Sequence, residues 1–194
     1  MALLLNACVP QNTKPTPNTT PSASQAQQKH LASLANINAY SIKGKLGVIT
    51  QKQGFSGGID WQHQASTDNI DVFSPLGGKI ANISKNADGV ILTDQKGNSI
   101  KSTDAESLTE ASLGFKLPLK GLSDWAIGRP TSSKIEASSA DEQGRLLMLK
   151  QDGWDISYEN YADKNGVDLP NKIVLKSEKV NLKLLIENWL SVSQ

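Results

Sequence analysis

Cysteine is nearly absent: the 194-residue chain has one, Cys8, which excludes an intrachain disulfide and any metal site built from several thiolates. Histidine is almost as scarce, with only His30 and His63, so imidazole chemistry has few starting points. An excess of one charge is missing too. Twenty Lys+Arg against nineteen Asp+Glu leave +1, a balance that offers no overall field to grip nucleic acid or an anionic membrane surface. No run approaches the ~18 consecutive apolar residues of a membrane-spanning helix. What is present is enough for a core: 38% apolar residues, four Trp, and a steady supply of Val, Ile and Leu, broken by 15 Gly and 8 Pro that argue for many turns.

Catalytic and cofactor motifs are not found. There is no G-x-S-x-G nucleophile elbow, Gly77-Gly78-Lys79 lacks the rest of a phosphate-binding loop, and the scattered His and carboxylates have no metal-ligand spacing. His63 is the best candidate base and sits in no constellation. The expectation is a protein without enzymatic activity, cofactor or metal.

The N-terminus carries a different signal. Leu3, Leu4, Leu5, Asn6, Ala7 and Cys8 pass from apolar to small residues and stop at cysteine, which resembles the end of a bacterial lipoprotein signal, the lipobox. A complete signal needs a basic segment and about 7–15 apolar residues, so residues 1–8 are expected to be its remnant, with the start codon upstream. Cys8 is then the acylated residue. From Val9 to Gln28 the chain is Pro, Thr, Ser, Asn, Gln and Ala, too polar to form a core; it reads as a tether reaching about 25 Å as a coil and about 60 Å extended.

From residue 29 to 194 short apolar alternations are separated by Gly, Asn and Asp at intervals near ten residues, the pattern of an antiparallel sheet curling into a sandwich or barrel. About eleven strands are predicted: 40–50, 54–63, 67–73, 78–84, 89–94, 98–101, 133–138, 144–151 and three more around Trp154–Tyr158, Ile173–Leu175 and Val180–Ile186. Asp104 opens a predicted helix over 104–113, and further short helices are predicted over 119–127 and from Gln25 to Ala35. The last segment also fits helical spacing, through Leu182, Leu185, Ile186 and Trp189, but unbroken alternation from Val180 favours a strand.

One apolar residue is out of place. Leu76 stands in the middle of Ser74-Pro75-Leu76-Gly77-Gly78, where turn residues are expected to be polar. It either folds back under its loop or is offered to a membrane or a partner. The tryptophans Trp61, Trp125, Trp154 and Trp189 are most simply core residues, or else they line a cavity for an alkyl chain in a curled sheet with an open mouth.

Taken in order, these segments resemble the LolB family of outer-membrane lipoprotein receptors. The resemblance is carried by Ser41-Ile42-Lys43-Gly44-Lys45-Leu46-Gly47-Val48, Gly58-Ile59-Asp60-Trp61, Ser74-Pro75-Leu76-Gly77, Leu117-Pro118-Leu119, Leu122 to Gly128, Gln151-Asp152-Gly153-Trp154, Leu169-Pro170 and the run from Lys183 to Trp189. It implies an unclosed β-barrel of eleven strands whose apolar concave face is covered by helices. It implies a monomer that takes lipoproteins by their acyl chains from a LolA-like periplasmic carrier and delivers them to outer-membrane lipid. Leu76, flanked by Pro75 and Gly77, matches the family's membrane-insertion loop, and Val9 after the cysteine resembles outer-membrane-destined lipoproteins.

The inward positions Leu46, Val48, Ile59, Trp61, Ile70, Trp125, Leu149, Trp154 and Ile156 are the expected acyl-cavity lining. With no nucleotide site, transfer must run on differential affinity, each 1.4 kcal/mol giving about tenfold. The rival reading is a lipid-anchored structural or assembly lipoprotein with a packed interior and no cavity.

Overall fold

A computed structural model describes residues 25–193; Cys8 and most of the polar tether lie outside the described residues. Helix α1 spans Gln25–Ala35, taking in the last residues of the polar stretch. It is followed by β1 (Ala39–Thr50), β2 (Gly54–Gln64), β3 (Thr67–Phe73), β4 (Lys79–Asn86), β5 (Gly89–Asp94) and β6 (Ser99–Ser102). Helices α2 (Ala105–Leu113) and α3 (Leu119–Trp125) come next, and then β7 (Ile135–Ala140), β8 (Leu146–Gln151), β9 (Trp154–Lys164), β10 (Val167–Lys176) and β11 (Val180–Ser193).

The eleven strands form one antiparallel sheet in the order β6-β5-β4-β3-β2-β1-β11-β10-β9-β8-β7. Every neighbour but one is a hairpin; the exception is the β1–β11 pairing, which joins the two halves of the chain. The two free edges, β6 and β7, are consecutive in sequence, and the segment between them carries α2 and α3. The barrel therefore stays open at the seam that the helices occupy.

Strict alternation selects the inner face. In β1 Tyr40, Ile42, Leu46 and Val48 are buried while Lys43, Lys45 and Ile49 are exposed, and β11 repeats this with Val180, Leu182, Leu184 and Ile186 inward. The alternation carried β11 as a strand despite its helical spacing, because all four inward positions bury against the same core. Where β1 crosses β11 the register shifts twice. At Gly44 a Cβ would run into the Leu185 carbonyl oxygen, so only glycine lets the strands approach and the sheet curl there.

Local chemistry sets the helix ends. Asp104 caps α2 by accepting from the Glu106 N–H at 3.2 Å, and Gly114, with φ +81°, closes its C-terminus. Helix α3 follows Pro118 and buries Leu119, Leu122 and Trp125 on the concave face.

The meander also fixes which turns share an end. The β1–β2, β3–β4, β5–β6, β8–β9 and β10–β11 turns lie together at one end, which includes Leu76; α1 and the β2–β3, β7–β8 and β9–β10 turns lie at the other.

Candidate functional site: the concave interior and its two ends

The nine residues expected to line a cavity do converge. Leu46, Val48, Ile59, Trp61, Ile70, Trp125, Leu149, Trp154 and Ile156 all belong to one buried core on the concave side of the sheet. Eight come from the strands; Trp125 comes down from α3 to meet them. In this structure the interior is covered by Leu117, Leu119 and Leu122 from the α2–α3 segment, so a guest enters only if that cover shifts.

Polar fastenings hold the cover. Tyr40 Oη donates to the Ser123 carbonyl at 3.0 Å, and Trp125 Nε1 donates to Gln151 Oε1 at 3.0 Å. Lys85 Nζ donates to the Leu119 carbonyl at 3.2 Å and to Asp68 Oδ2 at 2.9 Å. Asp68 also accepts from Trp61 Nε1 at 2.9 Å and pairs with His63 Nδ1 at 2.7 Å. Burial pushes the Asp68 carboxyl up, but the hydrogen bonds from His63 and Lys85 outweigh it and hold the group below its ordinary value.

His63, the sequence's candidate base, is thus a buried partner of Asp68, its ring tilted 30° against the Tyr40 ring at 4.9 Å. His30 is buried on α1 against Tyr161. Neither Asp68 nor Gln151, although Gln151 belongs to the Gln151-Asp152-Gly153-Trp154 segment, is assigned a role by the sequence. Both sit at inward phases of their strands, between Ile70 and His63 and beside Leu149, and a polar residue at an inward phase was the signal available.

Among the described residues two buried polar atoms have no hydrogen-bond partner, His30 Nε2 on α1 and the Tyr158 hydroxyl on the wall. Tyr158, inward on β9 and 3% exposed, has a hydroxyl with no hydrogen-bond partner, and burial pushes its pKa well up.

The cover meets the sheet at a cleft of about 340 Å³ that runs along α3 to the β8–β9 turn. Its lining includes Trp125, Trp154, Lys120 and Asp124, so two of the expected cavity residues are reached from outside through it. Leu76 itself is 99% exposed. It does not fold back: the Gly77 N–H donates to the Ser74 carbonyl at 2.9 Å and the Ser74 N–H to the Gly78 carbonyl at 2.8 Å, which holds Pro75 and Leu76 at the apex. Gly77 adopts φ +89°, the left-handed conformation that closes this hairpin.

Comparison with known proteins agrees with this architecture. The family model described as outer membrane lipoprotein LolB matches residues 38–189. The outer-membrane lipoprotein LolB of Nitrosomonas europaea is 34% identical over 160 residues, 81% of this chain and 75% of that protein. Its counterpart from Nitrosococcus oceani is 33% identical over 188 residues, covering 96% of this chain and 92% of the relative. Among solved structures, a LolA superfamily protein from Nitrosomonas europaea superposes with TM-score 0.55 at 8% identity, over 88% of this chain and 93% of that one, which shows the shared fold. From its concave apolar sheet to its ordered motifs, this chain belongs to the outer membrane lipoprotein LolB family.

Proposed function

We propose that this outer-membrane lipoprotein receptor takes the acyl chains of its cargo into the concave interior lined by Leu46, Val48, Ile59, Trp61, Ile70, Trp125, Leu149, Trp154 and Ile156, and releases them into the bilayer at Leu76. Cargo arrives from a LolA-like periplasmic carrier, the receptor acts as a monomer, and Cys8 carries its own lipid anchor. The observation that carries the reading is the fully exposed Leu76 on a hydrogen-bonded apex, at the end of the barrel that also holds the β8–β9 turn, where the cleft reaches Trp154.

Energetics fit a passive hand-over. An alkyl chain gains roughly 0.8 kcal/mol per CH₂ removed from water in carrier and receptor alike, so the few kcal/mol of preference that would move it correspond to the fuller burial of a few methylenes in the receptor. Opening has to break the few hydrogen bonds that fasten α3, each worth about 0.5–1.5 kcal/mol net. The free Tyr158 hydroxyl offers an incoming carbonyl a donor that the closed interior leaves unused. Leu76 dipping into lipid contributes roughly 1.5–3 kcal/mol, enough to bias an encounter and small enough to reverse.

The test separates uptake from delivery. Leu76→Glu is expected to bind a fluorescent fatty acid as the parent does, and to accept lipoprotein from the carrier, while insertion into membranes stalls. Normal insertion by this variant overturns the role given to the loop; loss of fatty-acid uptake in the parent chain overturns the cavity.

A further inference from the structure

A second surface, on the opposite face of the sheet, carries a ligand chemistry of its own. Outward residues of four adjacent strands stand directly opposite one another: Val174 on β10, Lys183 on β11, Gly47 on β1 and Ser56 on β2. In the next row, Lys176 and Ile49 stand either side of Asn181, with Gly54 beyond. The two glycines and the serine supply almost no side-chain volume, and the wall is hollowed there into a mainly apolar depression of about 530 Å³. Ile49 at its edge is 65% exposed.

Charge distinguishes this hollow from an ordinary gap. Lys176 and Lys183 line it, and Lys52 and Lys179 lie in the two turns beside it. None of the four forms an ion pair among the described residues, whereas Lys43, Lys45 and Lys172, farther along the same outer face, are all paired. The nearby carboxylates are Glu178, in the turn, and Asp155, opposite Lys176 and within 3.9 Å of Lys150. The formal balance of +1 conceals this cluster, because most of the carboxylates lie elsewhere along the chain. The hollow opens beside the β1–β2 and β10–β11 turns, at the end of the barrel that presents Leu76.

We propose that this outer-wall depression binds an anionic phospholipid of the target bilayer, its phosphate between Lys183 and Lys176 and its apolar part against Ile49 and Val174. Apolar contact and cationic donors then meet one amphipathic molecule, and two contacts, Leu76 and this wall, fix the tilt of the domain on the membrane. The inference rests on the proposed membrane role of Leu76 only for that orientation.

The test uses the full chain with Cys8→Ser, so that no acyl anchor holds it to vesicles. Binding is measured to phosphatidylcholine vesicles with and without phosphatidylglycerol. The expected result is tighter binding when phosphatidylglycerol is present. Lys176→Gln/Lys183→Gln should cut that preference by up to roughly thirtyfold, about fivefold per lysine. Gly47→Val should reduce it on the order of fivefold with both lysines intact, since filling the hollow displaces apolar contact. The backbone accepts a side chain there, because a Cβ at Gly47 meets Lys183 at 4.0 Å, an ordinary contact. Leu76→Glu should weaken binding to both vesicle types alike and leave their ratio unchanged, which keeps failure of the loop distinct from failure of the wall.

Fatty-acid uptake, unchanged in every variant, confirms an intact fold. A preference that survives the double lysine variant, or parental binding by Gly47→Val, overturns the proposal. So do Lys183 resonances that respond equally to inorganic phosphate, and self-association without vesicles that Gly47→Val abolishes.

Discussion

The two ends of the barrel are built from the same strands and spend their polar residues differently. At the α1 end, charges are buried and bonded: Asp68 is 2% exposed and bonds to Trp61, His63 and Lys85. Arg129 pairs with Asp124 at 2.7 Å and donates to the Leu34 and Ile37 carbonyls at 2.7 and 3.0 Å, and Arg145 holds Asp141 at 2.7 Å. At the Leu76 end, by contrast, a leucine and an isoleucine face solvent and lysines stand unpaired. Sheet continuity makes this division workable: the bonded end fixes the strand register, and that register positions turns at the far end which contribute little to stability. Stability and encounter thus occupy opposite ends of one sheet, and substitutions at the two ends should move different observables.

The largest effect is expected at Asp68. Asp68→Ala leaves Lys85 without its carboxylate and strips a partner from the buried Trp61 indole and His63, a loss of about 3–5 kcal/mol for a broken buried pair. Urea unfolding would measure it. A change below about 1 kcal/mol would show that the α1 end is not where stability resides. Because Lys85 also holds the Leu119 carbonyl, α3 should loosen in the same variant, seen as faster amide exchange over residues 119–125.

Acid should reach the same network more gently. A carboxyl held below its unfolded value contributes stability that is complete above about pH 4 and is lost as pH falls through the folded value. Asp68 is shifted in that direction, as are the more exposed Asp71 and Asp141, whose share is smaller through solvent screening. Burial also holds the His30 imidazole below its ordinary value, so a first, smaller loss is expected as pH falls below about 6.5. The urea midpoint should then drop further below about pH 4, with that second fall shallower in Asp68→Asn. An identical acid limb in the variant would remove Asp68 from the account.

Much of this division was legible in the sequence. Period-two alternation located the first eight strands to within about two residues and the last three only by their cores, since β9 runs on to Lys164, β10 begins at Val167 and β11 runs on to Ser193; turn residues such as Asp152-Gly153 and Lys96-Gly97-Asn98 set the breaks. Asp104 and Pro118 marked two helices. The site was partly legible: inward phases nominated nine residues that the fold gathers, and an apolar residue among turn formers picked out Leu76.

Two things could not be read along the chain. The α1-end network joins Asp68 to Lys85 across a hairpin and to Leu119 beyond α2, pairings that depend on where the helices land. The outer-wall hollow likewise needs Gly47 beside Lys183, residues brought together by the β1–β11 register and not by proximity in sequence.

The sharpest small-effect comparison lies within one turn. Gly77 has φ +89°, and nothing lies within 4 Å of the position a Cβ would take. Gly77→Ala therefore meets no clash and costs only backbone strain, about 1 kcal/mol. Leu76→Glu, one residue earlier, should cost less than about 0.5 kcal/mol, because a side chain already 99% exposed has no burial to lose. Paired unfolding curves should thus show the structural glycine lowering the urea midpoint while the neighbouring apolar residue leaves it in place. If Leu76→Glu proved as destabilising as Asp68→Ala, Leu76 would have to pack onto the protein in solution. The distinction between a bonded end and an encounter end would then fail at its most exposed residue.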